Sequence, residues 1–460
     1  MNLDNMFSDC EDLSATRGGG LAILNIGVLA AKGLDLAPDD LITAGASKGL
    51  LRVRGSGPED VERIVRSALL DAAPEIQRQV LAHATIMIKA VQEGVPEELS
   101  QKVAELTAGI RLAQMRSASV AYPKLHQRAV CRTDKLRPAR RENGESDFTA
   151  ARSEWGRGQK SRVIAEILGA DRRVTQTLDE LSSHERGEGH RLHHKIAVLR
   201  FDGNDFGAAA DECKTPEEKR EFSETVQRDQ RQFFHDLLSE DPGSWFSDDG
   251  LQIEVVVYGG DEVTFVTPAW LGWRALRKFY ECAQKWKRPK TGMPLTYGGG
   301  VVFCHYKAPI HAIKRLASDL ADEAKERARA ATGNKGNFAM VQVLESFDAI
   351  GQDLGDFLTD RYGKVGGRLE VGLEAVEILG DNMDCWRSTL SRRKLHETVE
   401  KALNGDPLDA KEAVRELVES KGSGTDVVTE PIGNLIERVG GPVAFVHMLE
   451  FWDYAAGEQR

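Results

Sequence analysis

Several features of secreted, disulfide-bonded and membrane proteins are missing from this sequence. The six cysteines are scattered along 460 residues and form no CxxC pair. This usage is typical of free thiols in a reducing cytosol, so we expect a cytoplasmic protein without disulfides. The sequence has no apolar run of about 18 residues, and we therefore predict no membrane span. Residues 1–13 are acidic and lack the charged-then-apolar pattern of a signal peptide.

The charge balance restricts the possible partners. The formal net charge is −11 at pH 7, which argues against a general nucleic-acid coat protein and still permits a local basic groove. The hydrophobic content of 41% is enough for substantial cores, and the length allows two or three domains.

The strongest local pattern lies in residues 253–270, IEVVVYGGDEVTFVTPAW. Two runs rich in β-branched residues flank the sequence from Gly259 to Glu262, which predicts two strands joined by a tight turn. A glycine pair suits such a turn because glycine adopts positive φ without a steric penalty. Asp261 and Glu262 then lie at the tip of the hairpin. Acidic residues are common at exposed turns, so this motif alone does not define a site.

A second strand pattern, residues 195–207 (KIAVLRFDGNDFG), ends near Asp202 and Gly203. A strand that delivers one Asp beside a hairpin that delivers Asp and Glu is how a divalent-metal site is assembled. Mg²⁺ usually takes one or two protein carboxylates, with phosphates and water completing its shell. We predict Asp202, Asp261 and Glu262 as catalytic metal ligands for Mg²⁺ or Mn²⁺, with the Gly203 carbonyl as a possible fourth ligand.

The remaining elements of this region predict a ferredoxin-like palm. Helices are expected at residues 215–240 and 271–286, a strand at residues 295–305, and a helix containing Lys325 at residues 309–331. The resulting order of strand, helix, hairpin, helix, strand and helix fits a βαββαβ unit.

Residues 22–120 repeat this order faintly. Residues 41–54 predict strand, turn and strand, residues 57–71 predict a helix, and residues 84–90 predict a further strand. The segment from Gly45 to Lys48 takes the place of the acidic turn and has no carboxylate. We infer an internal duplication whose first copy has lost its metal site, with an unrelated α+β segment as the alternative.

The fold class predicted from these patterns is α+β. It comprises two ferredoxin-like (βαββαβ) palm domains, the first degenerate, and a helical C-terminal domain. The predicted boundaries are 1–120 for the degenerate palm, 121–194 for a basic connecting segment, 195–347 for the catalytic palm and 348–460 for the helical domain.

The connecting segment is basic between residues 122 and 162. We interpret it as a solvated surface, with a phosphate or RNA contact as the alternative. Cys131 and His126 alone cannot supply four zinc ligands, so we predict no zinc. Four histidines between residues 184 and 194 match no familiar ligand spacing, and we interpret this stretch as a surface linker.

Four motifs, FDGNDFG, YGGDE, GGGVVFCHYKAPIH and the following EAK, occur in this order. Together they resemble the second palm domain of the large, polymerase-like subunit of type III CRISPR effector complexes. The minimal CRISPR polymerases and the GGDEF diguanylate cyclases share this palm. The subunit family usually has GGDD at the hairpin and often a second Asp in the first motif. Glu262 and Asn204 take those positions here, and both keep oxygen ligands.

The resemblance implies a nucleotide site around the metal ligands. Lysine side chains would neutralise the triphosphate, and the turn glycines would let the backbone approach the nucleotide. The predicted nucleotide-binding residues are Gly203, Asn204, Phe206, Gly259, Gly260, Lys307 and Lys325. The first palm is expected to face the second and to supply an acceptor pocket without metal, with Lys48 near a phosphate.

The implied chemistry is attack of a ribose hydroxyl on an α-phosphate, with pyrophosphate leaving. We expect synthesis of a cyclic oligonucleotide second messenger, cyclic oligoadenylate from ATP, in CRISPR-type antiviral defence. A diguanylate cyclase, a polymerase and a non-catalytic scaffold of an RNA-guided complex remain alternatives. The expected partners are ATP or another NTP, CRISPR effector subunits and guide or target RNA. Neither the HD nuclease domain nor the zinc insert of the resembled family has a counterpart in the sequence.

Overall fold

The computed structural model describes most of the chain. The described residues are 10, 12–45, 48–94, 98–116, 129–135, 137–332, 336–345, 353–363, 365, 369–404, 410–419 and 426–455. Their fold combines helices with a six-stranded sheet and two small two-stranded sheets. The predicted α+β class is therefore confirmed.

The first half of the chain holds helices around one short β-hairpin. Its elements are α1 (Leu13–Ile23), α2 (Ile26–Gly33), β1 (Leu41–Ala44), β2 (Gly49–Leu51), α3 (Pro58–Ala72), α4 (Glu75–Ala82) and α5 (Leu99–Arg116). β1 and β2 pair antiparallel, which confirms the predicted strand, turn and strand. The strand predicted at residues 84–90 is wrong, because the structure assigns no strand there. Among the described residues, this half therefore has a hairpin where a complete palm has a four-stranded sheet.

Two helices follow in the connecting segment, α6 (Asp147–Leu168) and α7 (Leu178–Leu181). α6 packs against α1 at a pair of glycines, because a Cβ at Gly18 would lie 1.8 Å from the carbonyl oxygen of Arg152. Arg152 itself is fully buried, and its guanidinium lies 4.3 Å from the ring centroid of Phe148. The interpretation of this stretch as a solvated surface is therefore wrong for the inner face of α6. His126 lies outside the described residues.

The palm region supplies most of the strands. Its elements are β3 (Lys195–Gly203), α8 (Phe206–Glu212), α9 (Pro216–Ser239), β4 (Phe246–Ser247), β5 (Gly250–Leu251), β6 (Glu254–Val257), β7 (Glu262–Pro268), α10 (Ala269–Ala283), β8 (Tyr297–His305), α11 (Ile310–Thr332) and β9 (Phe338–Val343). α9 begins with a capping box, in which Thr215 and Glu218 bond to each other's backbone N–H groups. The helix start predicted near residue 215 is therefore confirmed.

The C-terminal part is helical apart from one short strand. Its elements are α12 (Leu354–Tyr362), β10 (Glu370–Gly372), α13 (Leu373–Thr389), α14 (Arg392–Asn404), α15 (Ala410–Glu419), α16 (Asp426–Val439) and α17 (Gly441–Glu450). The indole Nε1 of Trp273 on α10 donates a hydrogen bond to the carbonyl of Val376 on α13 at 3.0 Å. This contact joins the helical part to the palm.

The central sheet has the strand order β10-β9-β8-β3-β7-β6. Its four palm strands, β8-β3-β7-β6, are all antiparallel and follow the order 4-1-3-2 of a ferredoxin-like sheet. β9 extends this sheet parallel to β8, and β10 pairs antiparallel with β9 at the edge.

Three consecutive glycines in β8 allow helices to approach both faces of the sheet. A Cβ at Gly298 would lie 2.7 Å from the carbonyl oxygen of Ala321 on α11, and a Cβ at Gly300 would meet the same helix. A Cβ at Gly299 would instead lie 2.5 Å from the hydroxyl of Tyr280 on α10. Successive residues of a strand face opposite sides, so α10 and α11 cover opposite faces.

Along the described part of the chain, no single helix is long and apolar enough to span a membrane. The pair α1 and α2, bent by 48°, passes the same test by length and composition alone.

Candidate active site

The acidic turn between β6 and β7 has the backbone conformation that its glycines predict. Gly259 and Gly260 have φ values of 107° and 67°, a region that other residues adopt only with strain. Asp261 follows this left-handed pair, and Glu262 begins β7. The glycines therefore determine the direction in which the chain presents Asp261.

The structure brings the three predicted acidic residues to the same end of the sheet. Asp202, near the end of β3, is the direct cross-strand partner of Glu262. The backbone N–H of Gly203 donates to the carbonyl of Asp261 at 2.7 Å, which joins the end of β3 to the turn. Proximity is thus as predicted, while the role of these residues in binding metal stays a prediction.

Lys325 reaches this site from α11. Its Nζ donates to Oδ2 of Asp202 at 2.5 Å. The aliphatic part of the side chain lies over Gly298, where a Cβ would be 2.3 Å from Cγ of Lys325. Gly298 is also the cross-strand partner of Asp202 in β8, so the missing side chain opens the path to the carboxylate. The prediction that Lys325 belongs to the site therefore agrees with its position.

The electrostatics of Asp202 indicate a carboxylate whose charged form a nearby cation would stabilise. Burial raises the pKa of Asp202, and the negative charge of Asp261 raises it further. The hydrogen bond and charge of Lys325 oppose these effects without cancelling them. The protein thus holds the Asp202 carboxylate close to Asp261 in a partly desolvated place, where the charged form of Asp202 is disfavoured unless a cation is nearby.

Glu262 has a different partner. The guanidinium of Arg200 donates to Oε1 of Glu262, and the hydroxyl of Thr264 donates to the same oxygen at 3.3 Å. Both charged side chains of this ion pair are mostly buried. Arg200 was missed in the sequence, although an arginine two residues before Asp202 in an otherwise apolar strand must lie on the same face as that Asp.

The other residues of the FDGNDFG motif shape the interior behind the site. A Cβ at Gly203 would lie 2.2 Å from the ring of Phe206, so the ring occupies the space that glycine leaves. Asn204 is buried, its Nδ2 donates to the hydroxyl of Thr296 at 3.1 Å, and its Oδ1 is enclosed without a hydrogen-bond partner. In this conformation Asn204 supports the strand end and offers little to a nucleotide.

Gln230 on α9 is a site residue that the sequence analysis missed. Its Oε1 accepts a hydrogen bond from the N–H of Gly259 at 2.6 Å, and its Nε2 donates to the carbonyl of Gly260 at 2.9 Å. The side chain is fully buried. The available signal was its position, because it lies four residues after Val226 and four before Phe234, on the apolar face of the helix.

Lys307 lies far from the acidic residues, and its predicted place in this nucleotide site is wrong. β8 runs antiparallel to β3, so Gly298 pairs with Asp202 at one end and His305 pairs with Lys195 at the other. At roughly 3.3 Å per residue, the strand from Gly298 to His305 spans about 23 Å. Lys307 lies beyond His305, where its Nζ is 5.6 Å from the ring centroid of Tyr306.

The histidine-rich stretch lies at that same distant end of the sheet. Ligand atoms of Glu188, His193 and His194 lie within 4.8 Å of one another, a closer approach than their spacing predicted. Nδ1 of His193 accepts a hydrogen bond from the backbone N–H of His184 at 3.0 Å. This bond places the proton of the neutral ring on Nε2, which leaves no free lone pair for a metal. The absence of zinc stays a prediction.

A cavity of about 1870 Å³ lies between the first half and the palm. Its palm wall includes Gly260, Asp261, Phe206 and Phe222, and Lys48 lies on the wall from the first half. The first half therefore faces the acidic turn, as the duplication predicted. The residues Ala46 and Ser47 of the first hairpin lie outside the described part.

The first hairpin is attached to the palm through α9. Arg220 donates from Nε to the carbonyl of Leu41 at 3.1 Å and from Nη1 to Oδ1 of Asp39 at 2.7 Å. Gln227 on the same helix donates to the carbonyl of Ala44, the last residue of β1. One helix thus contacts both the first hairpin and the acidic turn.

The sheet order, the acidic turn and the Asp-bearing strand end together define a palm-type domain. Residues 195–333 match the family model described as Cas10/Cmr2, second palm domain. The predicted resemblance of this region to the second palm of the large type III CRISPR subunit is therefore confirmed.

Solved structures of Csm1 have a similar fold over nearly the whole chain. The apo Csm1–Csm4 cassette gives a TM-score of 0.55 at 12% identity, covering 100% of this chain and 69% of that one. The cassette in complex with cA4 gives 0.52 at 11% identity, covering 99% and 68%. The cassette in complex with one ATP gives 0.53 at 12% identity, covering 99% and 68%. Identities this low establish the fold alone. The comparison with curated proteins gave no match.

Proposed function

We propose that this chain is a palm-type nucleotidyl cyclase that converts ATP into cyclic oligoadenylate in a type III CRISPR defence system. The observation that carries the proposal is the placement of Asp261 on the wall of a cavity that both halves of the chain line, with Asp202 at the adjoining end of β3. The match of residues 195–333 to the Cas10/Cmr2 second palm and the Csm1–Csm4 structures with cA4 and ATP support it.

The acidic residues suit a hard divalent cation such as Mg²⁺ or Mn²⁺. Two observations support the fit: the raised pKa of Asp202, and the ammonium group of Lys325 held against its Oδ2. Asp202 and Asp261 would hold the metal, with the Gly203 carbonyl as a further oxygen and Glu262 shared with Arg200. When bound, such a metal would activate the ribose hydroxyl and stabilise charge on the phosphate oxygens.

The protein groups around the metal ligands would bind and orient the nucleotide. Lys325 can turn from Asp202 toward a phosphate, because its long side chain lies over a glycine and is 16% exposed. Gly259 and Gly260 present backbone without side chains, which allows close approach of a phosphate or ribose.

Joining nucleotides requires a donor and an acceptor in one place. The cavity of about 1870 Å³ exceeds the roughly 300–1,000 Å³ that one small ligand needs, so it has room for two nucleotides. We assign the donor to the wall with Asp261 and the acceptor to the opposite wall, where Lys48 would contact a phosphate. Effector subunits and guide or target RNA remain proposed partners that would regulate this reaction.

The decisive experiment incubates the purified full-length chain with Mg²⁺ and each α-³²P-labelled NTP, with and without RNA. The expected result is an ATP-derived product that resists phosphatase, because a cyclic product has no terminal phosphate, together with released pyrophosphate. Asp261→Ala should abolish it. Asp248→Ala is the matched control, since Asp248 is an exposed carboxylate at the β4–β5 turn, remote from the site.

The other outcomes identify the competing functions. A product from GTP alone would indicate diguanylate-type chemistry, and extension of an added RNA would indicate a polymerase. Absence of pyrophosphate release with every NTP, with and without RNA, would contradict the enzyme proposal and favour a scaffold.

A further inference from the structure

We propose that Gln230 is a positioning residue that fixes the conformation of the turn at Gly259 and Gly260 and thereby aims Asp261 at Asp202. The inference deepens the proposed function and depends on it only where nucleotide turnover is measured. A consequence is that α9, which no motif singled out, controls the geometry of the catalytic turn.

The hydrogen bonds of Gln230 match the turn on both sides. The N–H of Gly259 reaches Oε1 at 2.6 Å, and Nε2 reaches the carbonyl of Gly260 at 2.9 Å. Only a side chain that both donates and accepts can satisfy this pair of backbone groups. A neutral amide does so, whereas a carboxylate lacks the donor and an aliphatic side chain lacks both.

The burial of Gln230 requires its amide to have hydrogen-bond partners inside the protein. Gln230 is 0% exposed and lies between Val226 and Phe234 on the inner face of α9. Burying an amide there is unfavourable unless its hydrogen bonds are made. What the amide adds is the bond pair to the turn.

The turn needs such a constraint because its two central residues are glycines. Gly259 and Gly260 both have positive φ, and glycine has more accessible backbone conformations than any other residue. Without Gln230, the bond between the N–H of Gly203 and the carbonyl of Asp261 still tethers the turn to β3. The loss of the amide would therefore loosen the turn and shift the Asp261 carboxylate without unfolding the sheet.

The same helix provides a matched control. Gln227 lies one helical turn before Gln230 and donates from its side-chain amide to the carbonyl of Ala44. It is the same residue type, on the same helix, with the same kind of bond to backbone. Its bond is directed at the first hairpin rather than at the acidic turn, so Gln227→Leu separates a general effect on α9 from an effect on Asp261.

The first measurement needs neither nucleotide nor metal. Hydrogen exchange of the full-length chain, followed in peptides that contain Gly259 and Gly260, should be faster in Gln230→Leu than in the wild type. In Gln227→Leu the exchange of these peptides should be unchanged. Equal exchange in Gln230→Leu and the wild type would overturn the proposal, whether or not the protein turns over ATP. Circular dichroism and thermal melting verify that each variant is folded.

The second measurement uses turnover of ATP in the full-length chain. Misplacing a catalytic group by about 1 Å can cost on the order of 100-fold in rate, so Gln230→Leu should lower kcat at least about tenfold and change KM for ATP less. Gln232→Leu, at an exposed position on the outer side of the same helix, should keep kcat close to the wild type. If the wild type turns over ATP and Gln230→Leu keeps its kcat, Gln230 has no positioning role and the proposed function stands.

A third variant tests the donor-and-acceptor requirement itself. Gln230→Glu preserves the size of the side chain, and the introduced carboxyl group can both donate and accept only when protonated. The kcat of Gln230→Glu relative to the wild type should therefore rise as the pH is lowered. A constant ratio across the pH range would contradict the requirement and leave steric packing as the explanation.

Discussion

The substitution Glu254→Gln probes a buried charge cluster that joins the first half of the chain to the palm. Glu254 begins β6, the first arm of the acidic hairpin, and its side chain is 0% exposed. Arg17 from α1 lies 2.6 Å from Oε2 of Glu254 and is 1% exposed, and Lys160 from α6 lies 2.7 Å from the same oxygen and is 4% exposed. One cation from the first half and one from the connecting segment therefore share one carboxylate of the palm.

The size of the stability loss depends on the two positive charges that remain buried when the negative charge of Glu254 is removed. Glu254→Gln leaves Arg17 and Lys160 buried, close together and without a counter-charge. Removing one partner of a buried ion pair typically costs about 3–5 kcal/mol, because the remaining charge stays desolvated. The hydrogen bonds of Arg17 to the carbonyl of Gly156 and of Lys160 to the carbonyl of Thr175 persist and offset part of this cost. We therefore expect Glu254→Gln to lower the free energy of unfolding by about 3 kcal/mol or more.

The pH dependence of stability gives an independent check of the same cluster. Burial by itself would raise the pKa of Glu254, but Arg17 and Lys160 outweigh it, so the pKa in the folded protein lies below its usual value. Burial lowers the pKa of Lys160, the positive charge of Arg17 lowers it further, and the Glu254 carboxylate opposes both effects without cancelling them. A depressed carboxyl pKa contributes stability above the pKa of the unfolded chain, and this contribution is lost as the pH falls through the folded pKa. Glu254→Gln should lack that acid-side dependence.

Equilibrium unfolding of the full-length protein in urea, followed by circular dichroism and tryptophan fluorescence, measures the effect. Glu166→Gln is the control, because Glu166 pairs with Arg162 on the exposed side of α6. Glu166→Gln should change the free energy of unfolding by no more than about 0.5 kcal/mol, as for most surface ion pairs. If Glu254→Gln costs less than about 1 kcal/mol, the cluster is no stronger than a surface pair and the reasoning fails.

Three further predictions concern the site itself. Asp261→Ala and Asp202→Asn should each abolish pyrophosphate release, and Asp261→Ala should leave the urea midpoint nearly unchanged; full activity of either variant would exclude the proposed ligands. Lys325→Met should raise the KM for ATP and move the acid limb of the pH–rate profile to higher pH, because Lys325 lowers the pKa of Asp202; an unmoved limb would contradict this. Gly298→Ala should lower the free energy of unfolding in urea by about 1–3 kcal/mol, because the added Cβ would clash with the backbone of α11. Gly207→Ala should lower it less, because the space around Gly207 is open.

The parts of the site that could be predicted from sequence are those encoded by short-range backbone rules. The glycine pair requires positive φ, the β-branched runs favour strands, and the order of elements restricts the topology to a palm. These rules placed Asp202, Asp261 and Glu262 together without any knowledge of side-chain contacts. The match of residues 195–333 to a known palm then confirmed the resemblance that the same motifs had suggested.

The residues missed or misplaced from sequence are those whose role depends on which helix or strand packs against them in the fold. Gln230 and Arg200 act through partners that are remote in sequence, so neither carries a local motif. Lys307 is a different case, because the predicted order already makes β8 antiparallel to β3. The start of β8 must then lie beside Asp202, and a lysine after its end must lie at the far edge. The buried face of α6 was missed because a count of charges does not reveal which side of a helix they occupy.

The contacts between the two halves also decide how the first half can be tested. A fragment beginning at Lys195 would keep Glu254 and lose Arg17, Lys160 and the packing of α1, where a Cβ at Gly20 would lie 2.6 Å from the carbonyl of Val256. The apolar strand β6 would then be exposed at the edge of the sheet, and exposed apolar edge strands favour aggregation. We expect this fragment to bind the dye ANS and to self-associate in size-exclusion chromatography. A monomeric fragment without ANS binding would show that the palm is independently stable.

The acceptor role proposed for Lys48 is tested by Lys48→Met in the full-length chain, which keeps the contacts between the two halves. Lys48 lies on the cavity wall opposite Asp261 and is exposed, so its replacement should not affect packing. Loss of a phosphate contact on the acceptor should slow joining of two nucleotides while binding of a single ATP analogue is preserved. Lys32→Met, a lysine of the same half in the last turn of α2, is the control. Equal synthesis by Lys48→Met and the wild type would exclude Lys48 from the acceptor site.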